Sequence, residues 1–305
     1  MQETMVLEVS NLWKSLCADQ FAKIDDAFLE TFRRPGGANN RLAAWDPLDQ
    51  TMRYFKFLLY AAAERQPERF FTLYRALGKV VLGQPVAVTL HSCEINIDYL
   101  LSIDEFLFLE SAIDMQSIRS IVEIGAGFGR TCHTLLALCA AGQVEQYSIV
   151  DLPQVLELSR RALEKLVPQH YRKIRFIDAT NETNWRGLTA DLAINIDSFQ
   201  EMPPAAIDCY MSRLVSNCRH FYVKNPIAKY DPKTIGLTTV DADKLQDVLS
   251  LGYCRDVIDI FNDVSLEEAR PNYIASYRPA SSWQLVAARP MEMFSYYHHA
   301  LFSRS

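Results

Sequence analysis

The apolar residues in the first third of the chain recur at intervals of three and four positions. This spacing places side chains on one face of a helix and predicts a mostly helical segment over residues 1 to about 115. Its clearest stretches are Met52, Phe55, Leu58, Leu59 and Ala62, followed by Phe70, Leu73 and Leu77. The exception is KVVLGQPVAVTL at 79–90, whose β-branched residues beside Gly83 and Pro85 indicate a short strand or an extended connector.

From about residue 118 the pattern changes to short apolar runs that alternate with amphipathic helices. The helices are predicted up to Ala141, over about 153–167 and near 204–217. Short runs separated by helices are typical of a parallel, doubly wound sheet. The predicted strands are SIVEI at 120–124, YSIV at 147–150, IRFI at 174–177, DLAINI at 191–196 and HFYV at 220–223.

Two later runs, NYIASY at 272–277 and WQLVAARP at 283–290, flank the turn signal RPASS. We expect these runs to pair as a terminal hairpin that closes the sheet. The sequence therefore predicts an α/β protein with a doubly wound, mostly parallel, seven-stranded Rossmann-like sheet in 116–305. The helical segment 1–115 precedes it.

Composition excludes several classes of protein. Hydrophobic residues make up 49% of the chain and charged residues 22%, which is enough apolar material for a large core. The net charge is -6, and no basic run suits a phosphate backbone, so nucleic acid is not an expected partner. The 7 cysteines are scattered without a CxxC pair, and we expect reduced thiols.

The sequence carries no targeting pattern. No apolar run reaches the ~18 residues that a membrane span needs. The first residues, MQETMVLEVSNLWKSLC, lack the basic and apolar regions of a signal peptide and indicate the start of a helix. We therefore expect a cytoplasmic protein that does not contact a membrane.

Three of the 11 glycines, Gly125, Gly127 and Gly129, lie between the strand SIVEI and the helix RTCHTLLALCAA, which we expect Gly142 to end. Glycines clustered at a strand-to-helix turn let the backbone approach a ligand closely. A dinucleotide fingerprint reads G-x-G-x-x-G, whereas this turn reads G-A-G-F-G with Glu123 before it. A carboxylate here repels a pyrophosphate and favours a ligand that carries an ammonium group.

The segment VEIGAGFGR at 122–130 resembles the first motif of class I S-adenosylmethionine-dependent methyltransferases, in which a hydrophobic residue and an acid precede G-x-G-x-G. The resemblance implies S-adenosylmethionine as the cofactor and S-adenosylhomocysteine as the product. It implies that Asp151 binds the ribose hydroxyls and that Asp178 contacts the adenine. The cofactor contacts it assigns are Glu123, Gly125, Ala126, Gly127, Gly129, Asp151, Leu152, Asp178, Ala179 and Asn195. Capping of the helix at Pro153 by Asp151 and a turn role for Asp178 stay open.

The exit of the fourth strand, DLAINIDSFQEMP, is the most polar strand end in the chain. The resemblance implies that the methyl group is presented to the acceptor here. Asp197 and Glu201 are the candidate catalytic bases, because a weakly acidic hydroxyl needs a proton acceptor. A capping or surface role is the alternative for each. Two carboxylates are too few to define a metal site, so metal dependence stays open.

The histidines are a second group of candidate bases, and structural or surface roles are their alternative. They are His91, His133, His170, His220, His298 and His299.

The segments DLPQVLELS and SFQEMP, together with the helical front, resemble bacterial sugar O-methyltransferases over about 90–225. That resemblance implies methyl transfer to a hydroxyl of a sugar-containing small molecule in natural-product biosynthesis. Methyl transfer to nitrogen or carboxylate, a nicotinamide-dependent oxidoreductase and a non-catalytic cofactor-binding protein stay open. DNA methylation is disfavoured, because adenine-N6 and related methyltransferases carry an (Asp/Asn)-Pro-Pro-aromatic tetrapeptide after the fourth strand. The chain's only Asn-Pro, Asn225-Pro226, follows the fifth strand instead. The helical segment is predicted to be a lid, an acceptor-binding element or a homodimer interface.

Overall fold

The computed structural model describes residues 8–19, 21–33, 50–140, 142–235 and 241–304. Its N-terminal part is mostly helical, as the apolar spacing predicts. The helices are α1 (Asn11–Asp19), α2 (Asp26–Thr31), α3 (Gln50–Glu64), α4 (Glu68–Leu77) and α5 (Ile97–Ala112). The start of the predicted first helix, residues 1–7, lies outside the described residues.

The connector between α4 and α5 forms the antiparallel hairpin β1 (Ala87–Leu90) and β2 (Cys93–Asn96). Within α3 the predicted buried face is correct for Phe55 and Leu59 but wrong for Leu58, which is 64% exposed. Leu58 fits the spacing of three and four residues but faces solvent. The spacing predicts one apolar face of the helix, but it does not predict how much of that face the neighbouring elements cover. Phe70 and Leu77 of α4 are buried.

The C-terminal part contains a seven-stranded sheet of mostly parallel strands, as predicted. Its strands are β3 (Ser120–Ile124), β4 (Gln146–Asp151), β5 (Ile174–Asp178), β6 (Leu192–Ile196), β7 (His220–Pro226), β10 (Trp283–Pro290) and β11 (Tyr297–Arg304). The spatial order is β10-β11-β7-β6-β3-β4-β5, and the five strands from β7 to β5 are parallel. The strand order therefore runs outward in both directions from β3.

Helices cover both faces of this sheet, which makes it doubly wound. Val122 belongs to the core on one face and its neighbour Ile121 to the core on the other, because successive strand residues point to opposite faces. The helices of this part are α6 (Arg130–Leu138), α7 (Pro153–Leu166), α8 (Pro204–Arg213), α9 (Ala242–Ser250) and α10 (Asp263–Tyr277). A small parallel pair, β8 (Lys229–Tyr230) and β9 (Val257–Ile258), completes the set.

The terminal hairpin corrects one prediction. WQLVAARP forms β10, but its antiparallel partner is β11, and NYIASY lies inside helix α10. The apolar residues Leu266, Tyr273 and Tyr277 are buried at helical spacing, a period that the six-residue window of NYIASY is too short to reveal. The aromatic segment around His298 supplies the strand instead, inserted between β7 and β10.

Two further predictions concern local features. Helix α6 ends at Leu138, before the predicted Ala141, and Cys139 follows it in an extended conformation. All seven cysteines are free thiols, as expected. In the part of the chain that the structure describes, no helix is both long and apolar enough to cross a membrane.

Candidate functional site

A cavity of about 480 Å³ lies at the carboxyl ends of β3, β4, β5 and β6. The strand order reverses between the neighbouring strands β3 and β6, because the chain continues from β3 to β4 on one side and from β6 to β7 on the other. The loops that follow β3 and β6 therefore leave in opposite directions and open a crevice between them. Cavities of this size accept a drug-sized ligand. The cavity is therefore the candidate site that the fold itself positions.

One side of the cavity is formed by Glu123, Gly125, Ala126, Gly127 and Asp151, which we call the turn wall. A Cβ on Gly125 would lie 2.2 Å from the Ser198 Oγ, so glycine lets the β3 turn press against the β6 exit. A Cβ on Gly127 would meet nothing within 4 Å, and its φ is +59°. Gly127 therefore opens space, whereas Gly125 closes a packing contact.

The third glycine of the motif has a structural role. Gly129 is the N-cap of α6, and a Cβ there would lie 2.6 Å from Leu163 of α7. It does not line the cavity. Of the three glycines predicted to contact a cofactor, Gly125 and Gly127 thus line the cavity and Gly129 does not.

Glu123 is a buried carboxyl at the end of β3 that lines the cavity. The hydroxyl of Tyr147 donates a hydrogen bond of 2.7 Å to its Oε2. Burial raises the pKa of Glu123 to about 7, because desolvation disfavours the charged form more than the hydrogen bonds from Tyr147 and Thr131 favour it. A positively charged ligand group beside it would restore the carboxylate.

Asp151 ends β4 and also lines the cavity. Its carboxyl accepts hydrogen bonds from the backbone N–H of Gly127 at 3.1 Å and of Leu152 at 2.8 Å. Burial raises the pKa of Asp151 to about 7 against the lowering effect of these donors. Asp151 therefore holds the glycine turn in place while facing the cavity, and Leu152, also in the lining, begins the turn into α7.

Besides Gly129, two more predicted cofactor residues lie outside the cavity lining. Asp178 accepts hydrogen bonds from the backbone N–H and the hydroxyl of Thr180 at 2.8 and 2.7 Å, the local turn that the sequence left open. The residues after it, Ala179 and Thr180, line the cavity instead. Asn195 is fully buried, and its amide donates to the Ile124 carbonyl at 3.1 Å and accepts from Asn225 at 2.8 Å.

Both candidate bases line the cavity. Asp197 follows β6 with a left-handed φ of +65°, a conformation that asparagine and aspartate tolerate better than other residues with side chains. Glu201 ends the short 3₁₀ turn Phe199–Glu201. Its Oε2 accepts a hydrogen bond of 2.6 Å from the indole Nε1 of Trp13.

A further part of the cavity lining comes from residues in and around α1. Glu8, Val9, Ser10, Trp13 and Phe21 line it, and we call them the N-terminal wall. The rings of Trp13 and Phe21 are stacked, with centroids 6.2 Å apart and planes inclined by 12°. Phe21 packs into an apolar cluster with Phe128 of the glycine loop and Leu158 of α7. No sequence motif pointed to this wall.

Arg130, the first residue of α6, is a further lining residue that sequence reasoning did not single out, although it ends the quoted motif. Its guanidinium donates to both oxygens of Glu105 at 2.8 and 3.1 Å and to the Asp98 carbonyl at 2.9 Å. Glu105 also pairs with the buried Lys224 at 2.6 Å. This network ties α5 to the sheet behind the cavity.

None of the six histidines, all of which the structure describes, lines the cavity. His133 is buried with its Nδ1 2.6 Å from the Tyr99 hydroxyl, and burial lowers its pKa to about 4. His299 is buried beside Asp104, with 3.0 Å between Nε2 and Oδ2. Among the described residues no group of three or more His, Cys, Asp or Glu side chains is arranged to hold a metal ion.

Comparisons with known proteins give fold-level likenesses. No family model matches the chain, and no curated protein matches it. A solved mitomycin 7-O-methyltransferase is 15% identical over 68% of this chain and 56% of its own, with a TM-score of 0.43. An O-methyltransferase from neocarzinostatin biosynthesis, in complex with S-adenosylmethionine and a naphthoic acid, is 13% identical over 68% and 56%, with a TM-score of 0.41.

A third structure, magnesium protoporphyrin IX methyltransferase from Synechocystis PCC 6803 with bound S-adenosylhomocysteine, is 14% identical over 81% of this chain and 99% of its own, with a TM-score of 0.43. The matched part of this chain spans little more than half the length of the first two structures. The architecture described above accordingly rests on the chain's own strand order and register.

Proposed function

We propose that this chain is an S-adenosylmethionine-dependent methyltransferase that acts on a hydroxyl of a small, sugar-containing molecule. The observation that carries the proposal is the pair of buried carboxyl groups, Glu123 and Asp151, on the turn wall of the cavity. Two carboxyls at a glycine turn suit a ligand with an ammonium group and hydroxyl donors. Glu123 disfavours the diphosphate of a nicotinamide dinucleotide, because two like charges would then face each other at the glycine turn.

The residues present fit such a cofactor. Glu123 would hold its ammonium group, and Asp151 would accept hydrogen bonds from its ribose hydroxyls. Gly127 leaves open the space that a Cβ would fill beside it. The cofactor supplies an electrophilic methyl group on a sulfonium. The other residues of the cavity orient the acceptor and take its proton.

The proton of the acceptor hydroxyl needs a destination. Transfer of the methyl group to the hydroxyl oxygen would leave the electron pair of the broken S–C bond on the cofactor and would release the hydroxyl proton, which a residue of this chain must accept. Glu201 and Asp197 are the carboxyl groups on the β6 side of the cavity, where they can receive it. Alignment of the acceptor oxygen behind the methyl group supplies further rate acceleration.

The lining also suits a ring-shaped acceptor. Trp13, Phe21 and Tyr297 present aromatic side chains to the cavity, and aromatic faces stack on the apolar face of a sugar or on another flat ring. A sugar hydroxyl is weakly acidic, so its proton must be accepted by a base. The two carboxyl groups at the β6 exit can supply that base.

The first experiment is calorimetric titration of the purified chain with S-adenosylmethionine, S-adenosylhomocysteine, NAD and NADP. We expect micromolar binding of the first two and none of the dinucleotides. Saturable NAD or NADP binding without binding of either sulfur compound would overturn the proposal.

The second experiment measures release of S-adenosylhomocysteine with a panel of sugars, glycosides, phenols, amines and carboxylic acids. We expect turnover with the sugar-containing members, and Glu201→Gln should lower it by about 100-fold or more while leaving cofactor affinity within a factor of three. Turnover with amines or carboxylic acids alone would replace the hydroxyl assignment. Cofactor binding without turnover on any member would favour a non-catalytic role.

A further inference from the structure

One hydrogen bond joins the N-terminal wall to the exit of β6. The Trp13 indole donates to Glu201 Oε2 at 2.6 Å across a sequence separation of 188 residues. An indole N–H only donates, so this contact requires a carboxylate oxygen that accepts. Hydrogen bonds to an ionised acceptor are shorter and stronger than neutral ones.

Trp13 is held by its own neighbours. Its backbone N–H donates to the Ser10 Oγ at 3.3 Å, and its ring stacks on Phe21. Phe21 is 6% exposed and belongs to the cluster that includes Phe128 of the glycine loop. The indole that contacts Glu201 therefore belongs to a segment that packs, through Phe21, in the same apolar cluster as Phe128 of the turn between β3 and α6.

We propose that Trp13 is the positioning residue for Glu201, and that docking of α1 aligns the proton acceptor with the cofactor end of the cavity. This inference rests on the function proposed above. Trp13 fixes one carboxylate oxygen of Glu201 and keeps that side chain turned into the cavity. The proton of the acceptor hydroxyl passes to the carboxylate of Glu201, and the indole neither gains nor loses a proton.

The geometry also gives the N-terminal wall a part in acceptor selection. Trp13 contacts Glu201 and stacks on Phe21, and both rings line the cavity, so we expect an acceptor that approaches Glu201 to contact them. An acceptor with a flat apolar face gains stacking there, and one without such a face does not. Removal of the indole N–H alone should therefore act on kcat, whereas removal of the whole ring should also raise the KM of the acceptor.

The first test measures the contact without turnover. The chain contains 4 tryptophans, so ¹⁵N-labelled protein gives four indole N–H signals. The signal that disappears in Trp13→Phe belongs to Trp13. We expect Glu201→Gln to move that signal upfield, because a neutral amide accepts a weaker hydrogen bond than a carboxylate. An unchanged Trp13 signal in Glu201→Gln would overturn the proposal.

The second test uses the acceptor found in the panel above. Trp13→Phe keeps an aromatic ring, although a smaller one, and removes the donor. We expect kcat to fall about tenfold or more while the affinity for S-adenosylhomocysteine stays within a factor of three. In the Glu201→Gln background the same change should have no further effect. Trp283→Phe, a buried tryptophan on β10 outside the cavity, is the matched control and should keep wild-type kcat.

A wild-type kcat in Trp13→Phe, or equal losses in the two backgrounds, would refute the positioning role. If wild-type protein releases no S-adenosylhomocysteine with any acceptor, the proposed function fails, and the indole signal still decides whether Trp13 and Glu201 are paired. The two failures are thus distinguishable.

Discussion

The two walls of the cavity are built in opposite ways. The turn wall comes from residues at the ends of adjacent parallel strands, and its hydrogen bonds are local to that edge, such as Gly125 N–H to the Val150 carbonyl at 2.9 Å. The N-terminal wall comes from residues in and beside the short helix α1, and it contacts the site through the stacking of Trp13 on Phe21 and the hydrogen bond from Trp13 to Glu201.

This difference separates two tasks within one site. A wall made of backbone and strand ends is rigid, because the sheet register fixes it. A wall held by side-chain contacts is not fixed by that register. We infer that the turn wall binds the cofactor and that the N-terminal wall selects the acceptor. The predictions below test this division.

The largest effect should come from Gly125→Ala. The new Cβ would lie 2.2 Å from the Ser198 Oγ, and the φ of +73° is left-handed. Strain of about 1–2 kcal/mol and overpacking of about 1–3 kcal/mol should lower the free energy of unfolding and abolish cofactor binding. Denaturant titration and calorimetry measure the two losses.

Gly142→Ala is the control for Gly125→Ala. Gly142 has a similar φ of +85° but meets nothing within 4 Å, so it should lose only about 1–2 kcal/mol and keep cofactor affinity. Equal losses of stability in the two variants would show that the left-handed backbone conformation alone requires glycine at position 125. Contact with the β6 exit would then not be the reason.

Asp151→Asn should weaken binding of S-adenosylhomocysteine by about 10- to 100-fold, because hydrogen bonds to a charged group contribute about 1.5–3 kcal/mol. Asp178→Asn is its partner variant on the neighbouring strand, paired with Asp151 in register but outside the cavity lining. Its affinity should stay within a factor of three. A larger loss in Asp178→Asn than in Asp151→Asn would return the adenine role to Asp178.

Phe21→Ala should affect the N-terminal wall alone. Loss of the ring that stacks on Trp13 should speed amide hydrogen exchange in residues 8–33 and leave β3 and α6 protected, with cofactor affinity reduced by about fivefold or less. Phe57→Ala, at a position 65% exposed on α3, is the control and should change neither. Faster exchange throughout β3 would show that the two walls form one cooperative unit.

The smallest effect should be a proton release on cofactor binding. The raised pKa values of Glu123 and Asp151, each about 7, leave both groups partly protonated at neutral pH. A ligand with an ammonium group and hydroxyl donors favours their charged forms, so binding at pH 7 should release about one proton in total.

Calorimetry in two buffers of different ionisation enthalpy measures this release, and proton uptake would contradict the assignment. The same shifts act on folding. Both pKa values are raised from ordinary values of 4.5 and 3.8, so the unfolded chain loses these protons first as the pH rises. These two groups should therefore lower the free energy of unfolding progressively between about pH 4 and pH 7.

The turn wall was predictable from the sequence, and the N-terminal wall was not. A strand, three glycines and a helix are adjacent in the chain, so their local pattern specifies the turn around Gly127 and places Glu123 beside it. Asp151 follows for the same reason, since parallel strands end at one edge. Trp13 contacts Glu201 only because of tertiary packing, and the local hydrophobic periodicity of the sequence does not predict such a contact.

Tertiary and longer-range patterns also explain where the structure departs from the expected arrangement. Asn195 and Asp178 stand at strand ends, where the sequence favours ligand contact, but in the structure they hydrogen-bond with Asn225 and Thr180 and do not line the cavity. The segment NYIASY has a strand-like composition over six residues and a helical period over fifteen, and the longer period determines its structure.

The position of β11 has a consequence for synthesis of the chain. Because β11 lies between β7 and β10, the fully buried strand β7 keeps one unpaired edge until residues 297–304 leave the ribosome. At about 5–20 residues per second, the growing chain spends several seconds with that edge open. An open apolar edge is a template for pairing with another chain. Release of a chain that stops before Tyr297 should therefore yield aggregates, even though every residue of the turn wall has already been made.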